Sequence, residues 1–267
     1  MRAIAATAGL LLGLIGLLGW VEHARSAPNS CDPDLRPPSD TPYAYRQRGP
    51  VCEGLYARDI GGRAMSVVAL TSAVDDFALD DGGDLLLDTA DVLDANPATI
   101  HLRAEALRPK LYYRMDAETT SASLPLRWPP RLLKALALTR RDIGLLAWAE
   151  QRIGGESRRV LFPVRLRQSR AAPQAAPISA PWQLAVLPLD ELNELYFSVT
   201  PLDEHGADGP VLVQARALGL IYYPPYRPVA IALPTLAGRG VYRIDISADL
   251  RAGRSATDRI WVRGDGR

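Results

Sequence analysis

Apolar and polar residues alternate with a period of two along most of this chain. Ile100, Leu102 and Ala104 interleave with His101, Arg103 and Glu105. Leu111, Tyr113 and Met115 interleave with Lys110, Tyr112 and Arg114, and Val160, Phe162, Val164 and Leu166 share one phase, with Arg165 and Arg167 on the other. Successive side chains of a strand point to opposite faces, so this pattern predicts half-buried β-strands. Met65–Leu70 and Leu85–Leu87 read as shorter strands. Asp142–Glu150 and Arg159–Arg167 are expected to pair as a hairpin that turns near Gly154-Gly155, because paired glycines supply the positive φ of a tight turn. Between Arg131 and Trp148, Leu132, Leu133, Leu136 and Ala137 fit one helical face, and Asp142-Ile143-Gly144 limits that to one short helix.

The alternation stops at Gln168–Pro181, where Pro173, Pro177 and Pro181 stand among alanines, and this segment reads as a linker. Beyond it Leu195, Phe197 and Val199 oppose Tyr196, Ser198 and Thr200, and Tyr242, Ile244 and Ile246 oppose Arg243, Asp245 and Ser247. Ile260 and Val262 belong to a last strand. Many short strands with turns between them favour sandwiches over barrels or α/β folds. The expected fold is all-β, with two immunoglobulin-like β-sandwich domains, residues 52–167 and 182–263, joined by the linker 168–181.

The N-terminus breaks this pattern. Arg2 precedes an apolar run from Ile4 to Val21, and Ala24-Arg25-Ser26 places small residues at both critical positions of a cleavage site. Residues 1–26 therefore read as a signal peptide. The run also approaches the length of a membrane span, so an uncleaved inner-membrane anchor through residues 4–21 is the alternative, with Arg2 on the cytoplasmic side. Either reading places the body in the periplasm or outside the cell. Pro28-Asn29-Ser30 before Cys31 lacks the apolar lead-in of a lipoprotein site. Residues 27–51, rich in Pro, Asp and Arg, read as an irregular arm.

Cys31 and Cys52 are the chain's only cysteines, and an oxidising compartment favours a disulfide that pins the arm to the first sandwich. In the chain-entropy model, closing a loop of about 20 residues contributes about 3 kcal/mol. A catalytic or metal-binding thiol would call for a C-x-x-C spacing or nearby histidines, which the sequence lacks.

Composition narrows the function classes. The 267 residues carry a formal net charge of +1 and 48% hydrophobic residues, as in ordinary globular proteins. Near-neutral charge removes the electrostatic case for nucleic acid or an acidic membrane surface as partner. Glycine and proline, at 21 and 22 residues, favour many short elements over long helices.

The run LPLDELNELYFSV, Leu187–Val199, followed by VLVQARALGLIYYPP, Val211–Pro225, faintly resembles the pilus-assembly chaperones of the periplasm. Those proteins carry a similar acidic strand, then a long strand ending in an aromatic-Pro sequence. They place a basic anchor where Gly219 stands here, and they have this stretch in their first domain rather than their last. The likeness is therefore read as shared sandwich physics and not as membership.

Candidate chemistry is sparse. Beyond the leader the chain keeps His101, on the polar phase of a strand, and His205, within DEHGADG. The first reads as solvated. The second reads as a loop residue, since Gly and Asp are what a hairpin loop demands, although Asp203, Glu204 and Asp208 could serve as metal ligands. Acyl transfer needs a base beside its nucleophile, and phosphate cradling needs a Gly-rich loop opening a helix; neither pattern occurs. Asp75, Asp76, Asp80, Asp81 and Asp84 could offer oxygens to Ca²⁺, but their spacing is not an EF-hand loop, and Gly82-Gly83 suits a hairpin tip. The same carboxylates could serve a glycosidase, which needs two across a cleft, but nothing marks a pair. No catalytic, cofactor or metal residue is assigned.

YYPPYRP, Tyr222–Pro228, offers Tyr222, Tyr223, Tyr226 and Arg227 as a ligand-binding group, with Tyr112, Tyr196 and Trp261 on the outward phase of their strands. Rigid amphipathic aromatics suit binding sites. The competing reading makes the prolines protection for an edge strand and the tyrosines ordinary cover. The sequence leads to an exported, non-catalytic binding or assembly module of the bacterial cell envelope, its partner another envelope protein or a glycan. The alternatives are a glycan-binding module that uses the exposed aromatics and a carboxylate-dependent envelope hydrolase.

Overall fold

The structure is a computed structural model, and it describes residues 42–48, 51–57, 63–72, 84–88, 99–107, 111–119, 123–127, 142–168, 182–219, 222–236 and 238–264. The expected leader, the first part of the arm, residues 131–141 and most of the linker lie outside the described residues.

Within them the chain is nearly all β. Before the linker come β1 (Pro42–Arg48), β2 (Val51–Ala57), β3 (Met65–Ser72), β4 (Asp84–Asp88), β5 (Ile100–Ala106), β6 (Leu111–Thr119), β7 (Ser123–Arg127), β8 (Ile143–Ile153), β9 (Glu156–Phe162) and β10 (Arg165–Gln168). After it come β11 (Trp182–Pro188), β12 (Leu192–Pro201), β13 (Val213–Leu218), β14 (Val229–Ala232), β15 (Val241–Leu250) and β16 (Ser255–Arg263). A 3-10 turn, Arg251–Gly253, joins the last two.

One sheet has ten strands in the order β1-β2-β6-β5-β8-β9-β16-β15-β12-β13, and two have three, β14-β11-β3 and β10-β4-β7. Neighbours in the large sheet run antiparallel except β9 and β16, which meet in parallel at Val160–Trp261 and Leu161–Val262. The sheet β14-β11-β3 faces β12, β15 and β16 in a sandwich-like arrangement, whose core holds Leu70, Leu184, Val186 and Ile231 from one side and Leu195, Val199, Ile244 and Val262 from the other. Burying each such side chain contributes about 1.5–3 kcal/mol, which is why the apolar phase of these strands turns inward.

The β8–β9 hairpin turns at Gly154 and Gly155, with φ of 58° and 85°, between the paired Ile153 and Glu156. Two central residues at positive φ make the I′ type of turn that two glycines permit. Its tip rests on the 203–209 loop: a Cβ on Gly206 would stand 2.8 Å from the Gly154 nitrogen, so only glycine allows this approach.

The structure departs from the sequence reading in four places. The arm is not irregular throughout, because Pro42–Arg48 forms β1 and pairs with β2. The strand expected to run unbroken over Arg159–Arg167 divides at Pro163, which has no N–H for a ladder. There the chain leaves β9, and Val164 N donates to Leu70 O at 2.9 Å, beside β3. The strands on either side of the linker are not kept apart as expected: β11 pairs with β3, β16 with β9, and Met65, Leu70, Trp148 and Leu161 join the cluster built by the post-linker strands, which takes no described residue from β5 or β6. Finally, part of the polar phase of β6 lies inside. Arg114 and Asp116 are buried, with Arg114 Nε donating to Asp116 Oδ2 at 2.9 Å and Arg103 Nε to Asp116 Oδ1 at 2.7 Å. Charge pairing along β6 and across to β5 is what lets these groups lie inside.

Candidate functional site

The outer face of β13-β12-β15-β16 gathers the polar phase of four strands. Tyr196 lies opposite Ser247 and Arg216, Asp245 opposite Arg259, and Arg243 opposite Trp261. Together Tyr196, Ser198, Gln214, Asp245, Thr257 and Arg259 floor a shallow depression of about 630 Å³. Its charges answer one another. Arg243 donates to Asp208 Oδ2 at 2.6 Å and to Asp245 Oδ2 at 2.8 Å, and Arg259 Nε donates to Asp245 Oδ1 at 2.5 Å. Arg216 Nη1 reaches Glu194 Oε1 at 3.2 Å. The Tyr196 hydroxyl also bonds Glu194, which holds its pKa above the usual tyrosine value. Trp261 is covered by the Arg158 guanidinium, 4.4 Å from the ring centre. The outward aromatics Tyr196 and Trp261 thus share a face, each with a local partner. Tyr112 stands in β6, but the placement of its side chain lies outside the described residues.

The YYPPYRP group divides by residue. Tyr222 is 59% exposed, and its hydroxyl donates to Glu191 Oε1 at 3.0 Å. Glu191 Oε2 accepts from Arg251 Nη1 at 2.7 Å, and that guanidinium lies 6.0 Å from the Tyr222 ring centre. Hydrogen bonds from Arg251 and then Tyr222 hold the Glu191 carboxyl below its ordinary pKa, and Glu191 in turn holds the Tyr222 hydroxyl above its own. Tyr223 is structural cover: it exchanges backbone hydrogen bonds with Leu192, its hydroxyl donates to Pro228 O at 3.0 Å, and its ring packs on the core. Arg227 stacks over that ring at 5.8 Å. Tyr226 holds φ at 63° and donates its N–H to Pro188 O at 2.8 Å, so it shapes a turn. The structure therefore brings Tyr222 together with Glu191 and Arg251, engages Tyr223 and Tyr226 in local packing and a turn, and leaves Arg227 exposed over the Tyr223 ring.

His101 is not solvated as expected. It stacks on Trp148 with ring centres 5.6 Å apart, and Nδ1 stands 3.2 Å from Glu118 Oε1. Trp148 also receives Arg159 at 4.8 Å and Arg103 at 5.5 Å. Burial, and then the charge of Arg103, lower the Arg159 pKa. His205 is a loop residue: Asp203 Oδ1 accepts from His205 N at 2.9 Å and Ala207 N at 2.7 Å, while the imidazole is exposed.

No group of His, Cys, Asp and Glu among the described residues is placed to hold a metal. The proposed Ca²⁺ ligands Asp75, Asp76, Asp80 and Asp81 lie outside the described residues, and Asp84 opens β4 opposite Arg127. Cys31 is also outside them; Cys52 stands in β2, opposite Gln47 and Asp116.

Two features escaped the sequence reading. Val211 and Leu212 are 57% and 50% exposed, and with Tyr222 they are the large apolar side chains that the described surface exposes. The available signal was Gly209-Pro210 ahead of two aliphatics, Val211 and Leu212, at the entrance to β13. The second is a pocket of about 600 Å³ between the start of β3 and the start of β16, lined by Arg63, Ser66, Arg254, Ser255 and Asp258. Burial raises the Asp258 carboxyl pKa there, partly opposed by the hydrogen bond from Arg259 N at 2.9 Å and then by the charge of Arg63. A scan against models of protein families and a search of curated proteins each find no match for the chain.

Proposed function

We propose that the chain is an exported, non-catalytic binding or assembly module of the bacterial cell envelope and that its partner is another envelope protein. In this reading the Cys31–Cys52 disulfide pins the N-terminal arm, and the strands after the linker make an immunoglobulin-like sandwich with β3. The observation that carries the proposal is the exposure of Val211, Leu212 and Tyr222, which flank one terminal strand, β13. Large apolar side chains left exposed at both ends of a terminal strand mark it as an interaction site, whereas the outer sheet face keeps its charges in internal pairs.

The test is chemical crosslinking in the native envelope, followed by capture of the full chain and of its Leu212→Asp variant. The reading expects one envelope protein to be captured by the wild type and lost from the variant. A glycan-array signal abolished by Tyr196→Ala would support the glycan-binding alternative instead, and steady turnover of a cell-wall substrate would support the hydrolase.

A further inference from the structure

Building on that reading, we infer that the outer edge of β13 is a strand-addition site, which takes an extended segment of the partner protein as an eleventh strand of the large sheet. β13 ends the sheet and pairs with β12 alone among the described residues. Its six residues span about 20 Å and turn a row of backbone N–H and C=O groups outward, the template on which another chain can pair.

Edges that must not pair are usually blunted, and this protein does so elsewhere. β14 is four residues long with Pro228 before it and Pro234 two residues after it, and β7 carries Pro125. β13 holds no proline.

The side chains of β13 define the occupant. Val213, Ala215 and Ala217 face inward and pack against the core cluster, but they remain partly exposed. Two alanines at the margin leave the core thinly covered there. Larger apolar side chains at alternate positions of an added strand would complete it, as alternation allows. On the outer phase Gln214 and Arg216 are exposed, and Arg216 offers an acidic residue on the added strand a partner beyond Glu194. Val211 and Leu212 extend the apolar contact at one end. The geometry thus selects an extended segment in which large aliphatic residues alternate with polar or acidic ones.

The experiment uses the full chain and a fluorescent eight-residue peptide that alternates valine with threonine and glutamate. Anisotropy reads its binding, and amide exchange reads its position. Binding should protect the amides of Val213–Leu218 and leave those of Val229–Ala232 unchanged. N-methylation of alternate peptide residues, tried in both phases, keeps every side chain and removes backbone donors; one phase should weaken binding at least tenfold. Leu212→Asp, at an exposed position, should weaken it severalfold while leaving the thermal unfolding of the chain unchanged. Equal binding by both N-methylated peptides, or protection away from β13, overturns strand addition. Absence of peptide binding, with the crosslinked partner still lost from Leu212→Asp, overturns strand addition and leaves the protein-binding reading standing. A partner captured equally by Leu212→Asp and wild type overturns that reading too.

Discussion

Strands β5 and β6 and strands β12, β15 and β16 belong to one sheet and alternate in the same way, yet their polar phases meet different surroundings. In the second group the polar phase is the outer surface: Asp245 and Arg259 keep 31% and 56% of their side-chain surface. In the first, Asp116 and Arg114 keep 1% each, and Arg103 16%. Trp148, among the polar residues of that face, is buried under arginines and stacked with His101. Alternation reports which side chains share a face. It does not report what covers that face, which depends on strands far away in the chain.

The comparison makes its largest prediction at the buried carboxylate. Asp116→Ala leaves two arginines without their shared acceptor, and breaking a buried pair costs about 3–5 kcal/mol. Asp245→Ala removes an equally well-shaped partner at the surface and should cost about 0–1 kcal/mol. Denaturant unfolding of both variants checks this, and equal losses would break the distinction. Next in size is Tyr223→Phe, which removes the hydroxyl bond to Pro228 O and should cost about 1 kcal/mol. Thermal unfolding of Tyr223→Phe beside Tyr222→Phe separates cover from surface, and a larger loss at Tyr222 would reverse their roles.

The smallest effect concerns Asp258 and has the opposite sign. Its folded carboxyl pKa is raised by burial, so the folded chain holds this proton more tightly than the unfolded chain does. The residue therefore costs stability above its folded pKa, and the cost fades as pH falls toward the unfolded value. Asp258→Asn should unfold at a higher temperature than wild type at pH 7, with the gap closing in acid. A variant less stable at neutral pH would show that the carboxylate is held by favourable contacts.

Local features were legible in the sequence. The phases of β5, β12 and β15, the Gly154-Gly155 turn and the Asp203–Gly209 loop all follow from residue spacing and turn chemistry. Long-range pairing was not. Nothing near Val160 signals its parallel partner Trp261, and nothing in Trp182–Pro188 names β3 as its neighbour. The burial of Arg114 escaped although an acceptor, Asp116, lies only two residues away, because the phase they share reads as solvated. In YYPPYRP the prolines interrupt any period, so spacing could not tell the exposed Tyr222 from the covering Tyr223. Leu212 went unread because an aliphatic residue at a strand entrance ordinarily goes inside.

What joins the two groups of strands is one sheet that takes strands from both sides of Gln168–Pro181. Insertion of a specific protease site between Ala175 and Ala176, followed by cleavage in native buffer, tests this continuity most directly. The two fragments should elute together on size exclusion and unfold in a single transition, held by the β11–β3 and β9–β16 pairings. Fragments that separate without denaturant, or that melt in two independent steps, would show instead that the two sides of the linker fold independently of those pairings.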